Sequence, residues 1–193
     1  MKATLILIGD GGVGKSCLAQ RYISDRFLQD YDPTVEESFH KDIDTEQGTL
    51  KLEILDTAGQ DDFSAIRQTY YRNADLVIGV FDVKNLDTFN KLKDFWEEII
   101  HERHNDKREL PPVLVAGNKI DLVPDFAPSP NITGWLNEHN ISEVFYTSSK
   151  TDHNVSELFN KAVEVLISKP KSDPKSSADL NLNKVKKSKC TLF

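Results

Sequence analysis

The chain has 193 residues, 38% of them hydrophobic and 28% charged, with two cysteines and a formal net charge of −7, which is material for one α/β domain with a sizeable core and a tail. No apolar run approaches the roughly 20 residues that span a bilayer, and Met1-Lys2-Ala3 leads into a strand rather than a signal peptide, so the expectation is a cytosolic chain with Cys17 and Cys190 as reduced thiols. Residues 169–193 carry seven lysines against Asp173 and Asp179, a local +5 that leaves −12 on residues 1–168; this polarity argues against nucleic-acid binding by the domain and points the tail at an anionic surface.

The apolar run Leu5-Ile6-Leu7-Ile8 predicts a strand, and it delivers Gly9-Asp10-Gly11-Gly12-Val13-Gly14-Lys15-Ser16. This fits G-x-x-x-x-G-K-[ST]: glycines turn backbone amides toward an anion, Lys15 offers a cation to β- and γ-phosphates, and Ser16 offers a hydroxyl to Mg²⁺ at the start of a helix. The simpler alternative is a glycine-rich turn, but strand and helix flank it on the correct sides. The helix buries Leu18, Tyr22 and Ile23 on one face with Cys17 packed there, and ends near Ser24-Asp25. Phe27 to Thr34 is a loop by composition, with Asp32-Pro33 disfavouring helix. Glu36–Asp44 and Thr49–Leu55 alternate as strands around a turn at Thr45-Glu46-Gln47-Gly48.

The second of these strands runs into Asp56-Thr57-Ala58-Gly59-Gln60. An isolated strand-ending aspartate is most often a turn former, but beside a phosphate loop Asp56 is placed for Mg²⁺, Gly59 to bring its N–H to a γ-phosphate, and Gln60 to orient a water. A helix at Ser64–Arg72, a strand at Leu76–Phe81 and a helix from Leu86 to about Arg103 follow, capped by Asn85 or Asp87. The strand Val113–Gly117 then presents Asn118-Lys119-Ile120-Asp121. One carboxylate can accept both the ring N–H and the exocyclic amine of guanine, a pair that adenine lacks, which assigns Asp121 to the base and selects GTP over ATP. Asn118 and Lys119 brace the loop and cover the base. Ser129-Pro130 predicts a helix cap with proline at the first position; Val144-Phe145-Tyr146 is the last strand, Ser148-Ser149-Lys150 a turn with amides for the base, and Val155–Ile167 a closing helix. Beyond Ser168 the chain is too polar to fold, which divides it into a domain at 1–168 and a basic tail at 169–193.

Taken together, Gly9–Ser16, Thr34, Asp56–Gln60, Asn118–Asp121 and Ser148–Lys150 resemble the five motifs of the Ras family of small GTPases, over about residues 3–168 and again at the C-terminus. Tyr31-Asp32-Pro33-Thr34-Val35-Glu36-Glu37-Ser38-Phe39 resembles the effector loop of its Ras and Rap branch. The resemblance implies an α/β phosphate-loop G domain: a six-stranded, mostly parallel sheet with helices on both faces, one antiparallel edge strand, and nucleotide at the strand ends. It implies a GTP/GDP switch in signal transduction that hydrolyses GTP, with Gln60, Thr34 and Lys15 as catalytic residues and Ser16, Thr34 and Asp56 on Mg²⁺. Nucleotide contacts fall to Gly11, Gly12, Val13, Gly14, Lys15, Ser16, Cys17, Phe27, Tyr31, Thr34, Gly59, Asn118, Lys119, Asp121, Ser148, Ser149 and Lys150. Its implied partners are effectors through Tyr31–Phe39, an activating protein whose arginine passes Gly11, and an exchange factor, around a monomer.

Asp10 and Ser149 stand where the family usually has alanine, Glu37 and Phe39 replace its Asp and Tyr, the connection His101–Leu110 exceeds the family's by about two residues, and Pro124–Pro130 does not follow the family. Cys190-Thr191-Leu192-Phe193 matches a C-a-a-X ending, with Phe193 favouring geranylgeranyl over farnesyl, so Cys190 and the preceding lysines are expected to tether the chain to the cytoplasmic face of the plasma membrane or an endomembrane. The alternatives are a GTP-binding module without useful hydrolysis, against which Gln60, Thr34 and Gly11 speak, and a phosphate-loop nucleoside or nucleotide kinase, which would show an arginine-rich lid in place of Asn118–Asp121.

Overall fold

The computed structural model describes residues 1–27, 36–57, 64–141 and 143–168. Six strands, β1 (Lys2–Ile8), β2 (Glu36–Thr45), β3 (Gly48–Thr57), β4 (Leu76–Asp82), β5 (Val113–Asn118) and β6 (Val144–Thr147), form one sheet in the order β2-β3-β1-β4-β5-β6. All neighbouring pairs are parallel except β2–β3, which is antiparallel and puts β2 at an edge. The antiparallel edge and the parallel interior are as the resemblance implied. Thr45 pairs with Gly48, so the hairpin turn is only Glu46 and Gln47, tighter than the four residues composition suggested.

Parallel strands are covered on both faces, and their sequences read as nearly unbroken apolar runs for that reason. In β1, Leu5 and Leu7 face a core completed by α1 (Lys15–Ser24) and α5 (Val155–Ser168), through Leu18, Ala19, Leu158, Phe159 and Ala162. Ile6 and Ile8 face the opposite core, with Tyr71 of α2 (Ser64–Asn73), Phe89, Leu92 and Trp96 of α3 (Asp87–Asn105), and Ile132 and Trp135 of α4 (Pro130–Glu138). Phe89 is fully buried and meets Phe81 and Trp135 edge-on at 5.1 and 5.6 Å, so its truncation to alanine is expected to cost about 3–5 kcal/mol. Gly79 on β4 is what lets α3 come this close: a Cβ there would lie 2.9 Å from a Leu92 methyl.

Helix ends refine the sequence reading. At α3 the N-cap position falls to Leu86, with no side-chain cap bond, rather than to Asn85 or Asp87; Asn85, one residue earlier, accepts at Oδ1 from the Asp87 N–H (3.3 Å) and at its carbonyl from the Thr88 hydroxyl (2.6 Å). Ser129 precedes α4 as expected and Pro130 takes the first turn, but the Ser129 hydroxyl makes no cap bond; its carbonyl accepts from the Ile132 and Thr133 amides instead. Helix α3 runs on to Asn105, so much of the long connection to β5 is helical.

Register sets where the chemistry collects. Leu7 pairs with Asp56, Ile8 with Gly79, Asp82 with Asn118, and Asn118 with Thr147. The carboxyl ends of five parallel strands therefore open on one rim, the side on which open α/β sheets carry ligands.

Candidate nucleotide site

The phosphate loop occupies the centre of that rim, between β1 and α1. Gly14 precedes α1 at φ 97°, a conformation suited to glycine, and a Cβ on it would collide with the Asn118 amide nitrogen. Gly14, the residue before α1, supplies no side-chain cap and no acidic residue stands in the first turn, which leaves the positive dipole end of the helix without a local carboxylate. Lys15 is buried, and its Nζ donates to the carbonyls of Gly9 and Asp10, each at 3.0 Å. Burial pushes its pKa down, with the Asp56 and Asp10 carboxylates opposing that shift. A buried ammonium close to a helix N-terminus has the chemistry that suits an anion.

Beside it, the Ser16 hydroxyl donates to Asp56 Oδ2 in a short hydrogen bond across 40 residues of sequence. Thr57 fastens the end of β3 by donating its hydroxyl to the Leu7 carbonyl at 2.8 Å. A hydroxyl and a carboxylate held together are hard oxygen donors of the type Mg²⁺ takes, so these two residues fit that ion. Cys17, next along, is half-buried, and burial pushes its thiol pKa up, consistent with a packed residue rather than a reactive one.

The second motif meets the first directly. Asn118, 1% exposed, donates from Nδ2 to the Val13 carbonyl (3.0 Å) and accepts at Oδ1 from the Thr147 hydroxyl (3.2 Å) and the Ser149 amide (3.3 Å). One side chain thus ties the phosphate loop to the turn after β6. Lys119, held at φ 68°, donates to the Gly12 carbonyl (2.6 Å) and to Asp82 Oδ2 (2.8 Å). Asp121 sits in a short 3-10 turn (Ile120–Leu122) and accepts the Ser148 hydroxyl at 2.6 Å. Phe27 is half-buried just past α1, and the Lys150 carbonyl accepts from Arg21.

Three polar residues of this region escaped the motif reading. Asp82 ends the apolar strand β4 as Asp56 ends β3, the same signal. Lys91 on α3 pairs with Asp10 Oδ2 at 3.0 Å, while Asp10 Oδ1 accepts the Gly11 amide at 2.8 Å; Arg21 binds the turn after β6. Neither basic residue carries a local sequence signal. Tyr31, Thr34, Gly59, Gln60 and Cys190 lie outside the described residues.

A phosphate loop, a strand-ending carboxylate and an Asn-Lys-x-Asp loop converge on one rim of a β2-β3-β1-β4-β5-β6 sheet, and residues 4–168 match the Ras family. The chain belongs to the Ras family. Its Ras-family G domain is of the α/β phosphate-loop GTPase class, and the chain is a small GTPase. It is 42% identical over 118 residues to the Ras-like protein rasB of Dictyostelium discoideum, a match covering 61% of this chain and spanning 58% of rasB. It is 34% identical over 185 residues to the Ras-related protein Ral-B of Mus musculus, covering 95% of this chain and 88% of that protein. It is 33% identical over 192 residues to the Ras-related protein Ral-a of Drosophila melanogaster, covering 98% and 94%. Ras-family GTPases bind GTP and GDP and meet effectors, activating proteins and exchange factors. Among the described residues, no helix is long and apolar enough to cross a membrane.

Proposed function

We propose that this chain is a guanine-nucleotide switch that binds GTP or GDP along the rim, hydrolyses GTP slowly by itself, and engages effectors through Tyr31–Phe39 in the GTP state. The observation that carries the reading is the Asn118 bridge between Val13 and the turn at Thr147–Ser149: it joins a triphosphate cradle to a purine-selecting loop in one rigid unit. In this reading the amides of Gly11–Cys17 and the Lys15 ammonium hold the phosphates. Asp121 accepts from the guanine edge, with Ser148 orienting its carboxylate, while Phe27 and the Lys119 stem flank the base and Ser149 and Lys150 offer amides.

Ser16 and Asp56, with Thr34, would hold Mg²⁺, which when bound neutralises phosphate charge. Lys15 adds a second fixed cation. Gln60 orients the attacking water, and the stretch Phe27–Thr34 contains no arginine. The transition-state cation is therefore assigned to an activating protein passing exposed Gly11, an effect of about 10³–10⁵ in rate, the range that Ras-family GTPases set. An exchange factor resets the switch, and Cys190 with the lysines of residues 169–193 tethers it to an anionic membrane.

The test is base exchange. Asp121→Asn replaces a double acceptor by an amide whose N–H₂ matches the extra carbonyl of xanthine, so affinity should move from GTP to xanthosine triphosphate. Unchanged GTP affinity in the variant would remove Asp121 from the base and guanine selectivity from the account.

A further inference from the structure

Arg21 lies outside every motif, yet its side chain is only 13% exposed. Its Nε donates to the Ser149 carbonyl (2.9 Å), Nη2 to the Lys150 carbonyl (3.1 Å), and Nη1 to the carbonyl (3.1 Å) and carboxylate (3.3 Å) of Asp25. We propose that Arg21 is a positioning residue: it couples the phosphate loop to the base-side turn through α1 and so sets the rate at which guanine nucleotide escapes. The proposal rests on the guanine-nucleotide reading above.

The physical argument starts from the planar guanidinium, whose fork matches two neighbouring oxygens in a way that a lysine cannot. A trans peptide points its C=O and the following N–H in opposite directions. With the Ser149 and Lys150 carbonyls drawn to α1, the Lys150 and Thr151 amides must face away from it. The Thr151 amide donates to Ser148 Oγ at 3.1 Å, and that same hydroxyl donates to Asp121 at 2.6 Å. On the inner side, the Ser149 amide is held by Asn118. The turn is thus gripped from inside by the Asn118–Asp121 loop and from outside by Arg21.

Helix α1 makes this grip reach the phosphates. Arg21 follows Lys15 by six residues, about 9 Å along a helix, so one rigid element carries the phosphate-side lysine at its start and the base-side clamp near its end. A displacement of the phosphate loop that shifts α1 therefore drags the turn that orients Asp121. Without Arg21 the two carbonyls turn to water, and the fold keeps its core, because none of these bonds belongs to either hydrophobic cluster. What is lost is the alignment of the turn.

The full chain, loaded with N-methylanthraniloyl-GDP and chased with unlabelled GDP, tests this. Arg21→Ala should release label about tenfold faster or more, as expected for two charge-assisted bonds, with association unchanged. Arg21→Lys, able to satisfy one carbonyl, should fall between. The same acceleration should hold for a labelled non-hydrolysable triphosphate, since Arg21 acts at the base end. Hydrogen exchange should quicken at the amides of 149–151 while those of 18–24 keep their protection. Release at the wild-type rate overturns the proposal, as does an acceleration that differs several-fold between di- and triphosphate or that comes with loss of α1 protection. A wild-type protein that holds labelled ADP as well as labelled GDP overturns the underlying reading, an outcome distinct from failure of the clamp.

Discussion

Replacing Asn118 by alanine removes four hydrogen bonds at once: the donation to Val13 (3.0 Å) and acceptances from the Thr147 hydroxyl (3.2 Å), the Ser149 amide (3.3 Å) and the Ser149 hydroxyl (3.4 Å). All four are buried, so water does not readily replace them. At about 1 kcal/mol net for each of the two shorter bonds, somewhat less for the two longer, and a further penalty for a stranded buried carbonyl, the loss comes to about 3–4 kcal/mol. For a chain of this size that lowers the melting temperature by about 10 °C. Thermal unfolding followed by circular dichroism, with and without excess GDP, separates two consequences. The ligand-free shift reports the bridge itself, and a smaller GDP-induced gain reports the lost affinity by linkage. Asn118→Asp sharpens the test: it keeps the acceptor side and points a second oxygen at the Val13 carbonyl, so it should be no milder than alanine. An alanine variant within about 1 kcal/mol of wild type, with an undiminished GDP-induced gain, would refute the claim that this side chain couples loop to turn.

Two other expectations concern charge. Lys91→Ala removes the ion-pair partner of Asp10 beside the phosphate loop and should weaken triphosphate binding severalfold, whereas Asp10→Ala with Lys91→Ala should recover most of it; titration calorimetry of the single and the double variant decides, and equal effects would deny the compensation. Cys190→Ser should abolish membrane partitioning in cells, and replacing Lys184, Lys186, Lys187 and Lys189 by glutamine should weaken it while leaving lipid attached, read by flotation and mass spectrometry, since one lipid chain alone holds a protein only marginally.

How much of this could be read in the residues depended on distance along the chain. The phosphate loop and Asn118–Asp121 are local: glycines, a lysine and a carboxylate at fixed spacing after apolar runs, and the structure places both at strand ends. The six-stranded, mostly parallel sheet with its antiparallel edge came with the family resemblance rather than from periodicity, and the strand order was not legible, because an apolar run does not say which strand lies beside it. Pairings across long separations were not legible. Arg21 and Ser149 are 128 residues apart, and Lys119 and Asp82 are 37 apart. Nothing in either local stretch marks its partner. Asp82 is the instructive case: a carboxylate closing an apolar strand led to Asp56, and the same pattern on the next strand in sequence, across β1 in the sheet, holds the lysine beside the proposed base site. Ser129 shows the opposite limit. Its place before Pro130 marked the start of α4, but position alone does not make the side-chain bond.

The central claim is that a guanine nucleotide occupies the rim between Lys15 and Asp121. It is tested most directly by purifying the chain in Mg²⁺-containing buffer without added nucleotide, denaturing it, and identifying by chromatography and mass spectrometry what is released. The account predicts close to one equivalent of GDP or GTP per chain, lost when EDTA is present during purification. Release of adenine nucleotide in that amount, or binding of ATP in preference to GTP by the emptied protein, would contradict it.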